Sequence, residues 1–108
     1  MARIYVADLP GGTATTTIQI QQTQTLKRCV LSVLMAAAGK VELSTSPTSQ
    51  IGTAQPDVSV LARVNCSAGT AAIASSIVEI PINLPVKAFQ NIYVHQTGAG
   101  NLGDVVFS

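Results

Sequence analysis

The chain has 108 residues, the size of one domain, with a formal net charge of +1. Charged residues make up 10%, against ~25% in typical soluble domains, while 47% of the residues are apolar. That balance argues against a disordered segment, and six scattered basic residues, with Lys27-Arg28 the one adjacent pair, argue against a nucleic-acid binder.

Taken in order, Ile4 and Val6 alternate with Arg3 and Tyr5, as in a first strand. Leu9-Pro10-Gly11-Gly12 reads as a turn. From Thr15 to Gln24 the β-branched run, with Ile18 and Ile20 set against Gln19 and Gln21, predicts a strand with one wet face. Leu26 to Ala38 fits two patterns. Thr25 and Gly39 suit the caps of a helix, and Cys29, Leu31, Val33, Met35 and Ala37 suit one face of a strand. Strand-like neighbours favour the second. Lys40 to Ser44 then alternates as a hairpin partner would.

Ser44 to Pro56, rich in hydroxyls and punctuated by proline and glycine, is a loop. Val58, Val60, Ala62 and Val64 alternate with Ser59, Leu61, Arg63 and Asn65 in a strand. Cys66 to Ala72 is a small-residue turn around Gly69. Next, Val78, Ile80, Ile82 and Leu84 oppose Ile77, Glu79, Pro81 and Asn83. Pro81 cannot donate to a ladder, so this strand either lies at a sheet edge or leaves the sheet there. Ile92 and Val94 oppose Tyr93 and His95. A glycine-rich turn, Gly98 to Gly103, leads to a last strand with Val105 and Phe107 on one side. About eight short strands in one domain over residues 1–108 predict an all-β antiparallel sandwich, jelly-roll-like.

Reactive chemistry is sparse. His95 is the single histidine. A triad of His95 as base, Cys29 or Cys66 as nucleophile and Asp104 as orienter has no supporting motif. No Cys/His cluster suits zinc, and the acids Asp8, Glu42, Asp57, Glu79 and Asp104 lie far apart in sequence, although two of them can meet in space. Gly98-x-Gly-x-x-Gly103 matches a dinucleotide fingerprint as a string but opens no βαβ unit. No catalytic, cofactor or metal residue is therefore assigned, and an enzyme is not expected. Cys29 and Cys66 read as small buried hydrophobes, and their pairing stays open. A sugar site would draw on Tyr5, Tyr93, Asn91, Gln96 and Asn101. The polar, uncharged faces suit contact between copies, because interface cores are depleted of Lys, Glu and Asp.

Met1 to Asp8 lacks the apolar core of a secretory signal, and Val33 to Gly39, the longest apolar run, is too short to span a bilayer. Synthesis in a cytoplasm without export by an N-terminal signal is expected. With the Thr/Gln-rich strands from Thr15 to Thr25 and the closing hairpin expected from Asn91 to Phe107, the whole chain resembles the small β-sandwich virion proteins of bacteriophages, of decoration, head-fibre, spike or minor capsid type. The resemblance implies a structural subunit of a phage particle, made in the host cytoplasm with the virion as its final location, that assembles with its own copies and with other virion proteins. A carbohydrate- or surface-binding sandwich module, with its site on a sheet face or at the Ser44–Pro56 and Gly98–Gly103 loops, is the alternative.

Overall fold

Alternation of branched apolar residues with Thr, Ser, Gln and Asn gives strands with one face to bury, and two such sheets bury each other. A computed structural model of the chain describes residues 3–10, 12–34, 39–66, 75–97 and 102–108. It contains β1 (Tyr5–Leu9), β2 (Ala14–Gln19), β3 (Gln24–Leu34), β4 (Gly39–Ser44), β5 (Val60–Cys66), β6 (Ser75–Val86), β7 (Asn91–Thr97) and β8 (Leu102–Phe107). They form two four-stranded antiparallel sheets, in the orders β1-β8-β3-β6 and β2-β7-β4-β5. Successive strands change sheet at every step except β4 to β5. The fold is a jelly-roll sandwich, as expected.

The first sheet supplies Tyr5, Leu9, Leu26, Cys29, Leu31, Val86, Val105 and Phe107 to the core. The second supplies Ile18, Val41, Leu43, Ile92 and Val94, and Ile20 closes one end. Each large side chain buried here contributes about 1.5–3 kcal/mol relative to exposure. On β6 the division by face is complete: Ile77, Glu79, Pro81, Asn83 and Pro85 are exposed, while Val78, Ile80, Ile82 and Leu84 pack on the core. This strand is an edge, the position Pro81 requires.

Several local expectations are corrected. In β1 the phase is reversed: Tyr5 and Leu9 are buried, whereas Ile4 and Val6 are 63% and 62% exposed. A one-residue slip exchanges the two faces of a strand, and the buried hydroxyl of Tyr5 makes the inward choice affordable by accepting the Gln21 and Gln22 N–H groups at 2.9 and 3.2 Å. The strand favoured for Leu26 to Ala38 is present through Leu34, with residues 35–38 outside the described set. Lys40 to Ser44 is not the hairpin partner of that strand, because β3 and β4 lie in different sheets. Asn91 to Phe107 is likewise no hairpin, because β7 and β8 lie in different sheets. Alternation is the same whether a chain turns back within a sheet or crosses to the other.

Val58 stands outside β5 and is 99% exposed. Of the small-residue turn expected from Cys66 to Ala72, Cys66 ends β5 and the remainder lies outside the described residues. So does the glycine-rich turn, apart from Leu102 and Gly103, which begin β8.

A candidate binding cleft on the second sheet

Strand β4 is buried on both sides. Val41 and Leu43 face the core, and Glu42 and Ser44 face outward yet are fully covered. The cover is the loop of residues 45–59, which folds back over the outer face of the second sheet.

The register lines up four polar residues across that outer face. Thr15 pairs with His95, His95 with Glu42, and Glu42 with Arg63, one from each strand of the sheet. Ser46 O accepts a hydrogen bond from His95 Nε2 at 2.9 Å. A carbonyl only accepts, so Nε2 carries a proton, and Nδ1 is hydrogen-bonded with Thr15 Oγ1 at 2.8 Å. The Tyr93 ring lies parallel to that of His95, with centroids 6.2 Å apart.

Glu42 is buried with both oxygens engaged: Oε1 accepts the Gln50 N–H at 3.0 Å and Oε2 meets Arg63 Nε at 3.3 Å. A buried carboxylate persists only when paired and hydrogen-bonded in this way. The same guanidinium donates to Thr53 O at 2.8 Å and to Gln50 O. Arg63 thus ties the sheet to both carbonyls of the Gln50–Thr53 turn. That turn closes through Thr53 N–H to Gln50 O at 3.0 Å, with Gly52 at φ +89° in the left-handed region glycine favours.

The loop is also bonded to itself. Gln50 Nε2 donates to Asp57 Oδ1 at 2.9 Å and to Ser59 Oγ at 3.2 Å, while its Oε1 accepts the Asp57 N–H at 2.9 Å. Hydrogen bonds from Ser59 and Gln50 hold the Asp57 carboxyl below its ordinary range. Thr45 N–H to Ser59 O, at 3.0 Å, clasps the two ends.

Between loop and sheet lies a cleft of about 240 Å³ lined by Lys40, Val41, Ile51, Gly52 and Arg63. It combines two cations, an apolar wall and open backbone. A more open groove of about 330 Å³ runs between the edge strands β1 and β2, lined by Arg3, Tyr5, Thr17, Gln19 and Gln21 among others.

The arrangement assembles no reactive centre from the residues considered for one. His95 lies on the outer face of the second sheet, Asp104 on the outer face of the first, and Cys29 between the sheets. Burial pushes the Cys29 thiol up to about 12, so it stays protonated, and it is free of any disulfide. The side chain of Cys66 lies outside the described set.

The expected sugar-site residues are dispersed. Tyr5 is buried and hydrogen-bonded, and Gln96 is buried, its amide nitrogen on Pro10 O and Gly12 O. Asn91 is half-buried opposite Gln19, Tyr93 is half-buried against His95, and Asn101 lies outside the described residues. Linear reading missed Lys40, Ile51 and Gly52, although it placed the loop that presents two of them. Two of the five acids do meet: Asp8 and Asp104 face each other across β1 and β8.

No protein-family model matches the chain, and no curated protein does. Solved structures do. A family 6 carbohydrate-binding module, studied by crystallography and calorimetry for its binding sub-sites, superposes with a TM-score of 0.61 at 17% identity, over 92% of this chain and 70% of that one. The carbohydrate-binding module CBM6cm-2 from Cellvibrio mixtus lichenase 5A, solved with cellotriose, gives 0.53 at 13% identity, over 92% and 72%. At these identities the likeness is one of fold, and the chain shares with both modules a β-sandwich architecture.

Proposed function

We propose that this chain is a non-catalytic recognition module whose ligand is a neutral, polyhydroxylated group, a carbohydrate unit, bound in the cleft between the 45–59 loop and the second sheet. The observation that carries this reading is the bracing of the loop. Arg63, Glu42, His95 and Gln50 hold it in one shape, so a ligand meets a wall that is already ordered and binding costs little conformational entropy. Lys40 and Arg63 offer donors to hydroxyl oxygens, and Ile51 offers a face to C–H groups. A cleft of about 240 Å³ is below the ~300–1,000 Å³ typical of drug-sized ligands. That scale suits a single ring or a chain end. The carbohydrate-binding modules that share the fold support the ligand class.

Calorimetric titration of the full chain with mono- and oligosaccharides tests this. Saturable binding that Lys40→Ala weakens about tenfold, a loss of ~1.4 kcal/mol, supports the cleft. Absence of heat and of amide shifts with every sugar at millimolar concentration overturns it.

A second reading, a structural subunit of a phage particle, is favoured by a different observation: the outer face of the first sheet carries the valines Val6, Val106 and Val30 in one row. Electron microscopy of the concentrated chain, alone and mixed with phage particles, tests that role. Closed rings or added density on the particle surface support it, and neither being present counts against it.

A further inference from the structure

The backbone of β1 has one side without a ladder partner, and its hydrogen-bonding phase can be read from the far side of the sheet. Ser108 and Arg28 exchange both backbone hydrogen bonds, each at 3.0 Å. Along an antiparallel strand successive residues turn their N–H and C=O groups to opposite neighbours. The register is unbroken, so Val106 and Asp104 bond β3, while Phe107, Val105 and Gly103 bond Tyr5, Ala7 and Leu9 of β1. The N–H and C=O groups of Val6 and Asp8 therefore point away from β8, to the open edge, and Ile4 continues that phase. The chain entering β1 is held in line as well: Gln24 Oε1 accepts the Arg3 N–H at 3.1 Å and Gln24 Nε2 donates to Arg3 O at 3.0 Å. The edge is accessible, because the successive residues Arg3 to Ala7 line the groove of about 330 Å³.

The other three edges are blunted. β6 carries Pro81 and Pro85, β5 meets β4 through a register shift, and on β2 the Gln21 amide covers Gln19 O at 3.4 Å. β1 has no proline, and its register with β8 runs unbroken from Tyr5 to Leu9. An edge left in this state is a template for another strand.

We propose that the strand which binds there is β1 of a second copy of this chain. The two strands run antiparallel about a two-fold axis that passes by Val6 perpendicular to the sheet, and they join the two first sheets into one.

An isologous contact needs a surface complementary to itself, and an open antiparallel edge is one. With Val6 set against Val6 of the second copy, Ile4 falls on its Asp8 and Asp8 on its Ile4. This register alone matches the three open residues with one another, and each pair exchanges two hydrogen bonds. The outer face favours the same register. Val30, Val106 and Val6 form a row that continues through the axis into Val6, Val106 and Val30 of the second copy, so that the Val6 side chain, 62% exposed in the free subunit, meets its equal. The row ends at Glu79 on each far edge. Those two acids stand seven strand spacings apart, about 34 Å, well beyond the screening length of ~8 Å. Nearer the axis, Asp8 lies opposite Ile4 and Arg3 opposite Leu9, so no like charges are paired between the copies. A net charge of +1 adds little repulsion. No residue of the cleft takes part, and the inference depends on neither reading of function.

The test is sedimentation equilibrium of the full chain from micromolar to millimolar concentration, with residue-resolved amide exchange at both ends of that range and thermal melts to confirm folding of every variant. The expected result is a monomer–dimer equilibrium in which the Val6 and Asp8 amides gain protection on dimerisation, while those of Ala7 and Leu9 are protected throughout. Val6→Pro removes an N–H that the β8 ladder does not use and should weaken the dimer at least tenfold. Val6→Lys, which keeps the backbone and sets two cations together at the axis, should do the same. Val6→Cys should cross-link the dimer on mild oxidation, because hydrogen-bonded antiparallel partners have Cα atoms about 5.5 Å apart, within disulfide range. A chain that stays monomeric at millimolar concentration overturns the proposal. So does a dimer whose Val6 and Asp8 amides exchange as fast as in the monomer, one that Val6→Lys leaves intact, or one that Val6→Cys fails to cross-link.

Discussion

Asp8 and Asp104 are cross-strand partners on the outer face of the first sheet, and the hydrogen bond between their carboxyls raises the proton affinity of Asp104. With its folded pKa above its ordinary value, Asp104 binds a proton more tightly in the folded chain than in the unfolded one. Its contribution to stability therefore falls as pH rises from the ordinary aspartate range through the raised value, and is constant above it. Asp57 has the opposite sign: its lowered pKa contributes stability that is lost as pH falls through the folded value. Asp104→Asn should raise the melting temperature slightly at pH 7 and leave it nearly unchanged at pH 3, whereas Asp57→Asn should lower it at pH 7. Melts between pH 3 and 7 read both, and parallel curves for the two variants and the parent would contradict the assignment.

Glu42 separates charge from hydrogen bonding. Glu42→Gln retains an acceptor for Gln50 N–H but leaves the Arg63 guanidinium without its buried counter-charge. Glu42→Ala removes both and opens a void under the loop. The expected losses are about 1–3 kcal/mol for the first and about 3–5 kcal/mol for the second. Urea denaturation measures both, and amide exchange should show residues 45–59 losing protection before the core.

How much of this was legible in one dimension follows from the geometry of the interactions. β6 was readable because one face is wet, the other dry, and Pro81 marks the edge. β1 misled because Tyr5 hides its ring while Ile4 and Val6 stay exposed. Val58 extended an alternation beyond the strand that carries it, and Val58→Ser should shift stability by no more than about 0.5 kcal/mol. The row Thr15–His95–Glu42–Arg63 was not legible. It runs across four strands, and no spacing along the chain encodes which strands become neighbours. The loop was recognised from its hydroxyls, prolines and glycine, but that it folds down onto the sheet depends on Arg63 and Glu42 meeting its carbonyls and amides.

Cys29 should be inert in the folded chain. Its thiol is enclosed by the core and held protonated, with a pKa of about 12. Alkylation at pH 8 followed by peptide mapping should label this position only after denaturant is added. Fast labelling of the native chain at Cys29 would contradict its burial.

Two turns place residues in the left-handed region with contrasting consequences. At Gly52, φ is +89° and an added Cβ meets nothing within 4 Å, so Gly52→Ala should cost only the conformational penalty of about 1–2 kcal/mol. Phe89 has φ 69° and is 69% exposed. Asparagine tolerates that conformation better than phenylalanine does, and Phe89→Asn should stabilise the chain by about 1 kcal/mol. Chemical denaturation of both variants checks the signs.

The pairing of β1 with β8 has a consequence for biogenesis. Tyr5 cannot find its ladder partner until Phe107 has left the ribosome. The nascent polypeptide must therefore keep β1 without its ladder partner until β8 has emerged, and the first sheet closes only then. Such long-range closure makes refolding slow for so small a molecule, and overproduction at low temperature should favour soluble product over inclusion bodies.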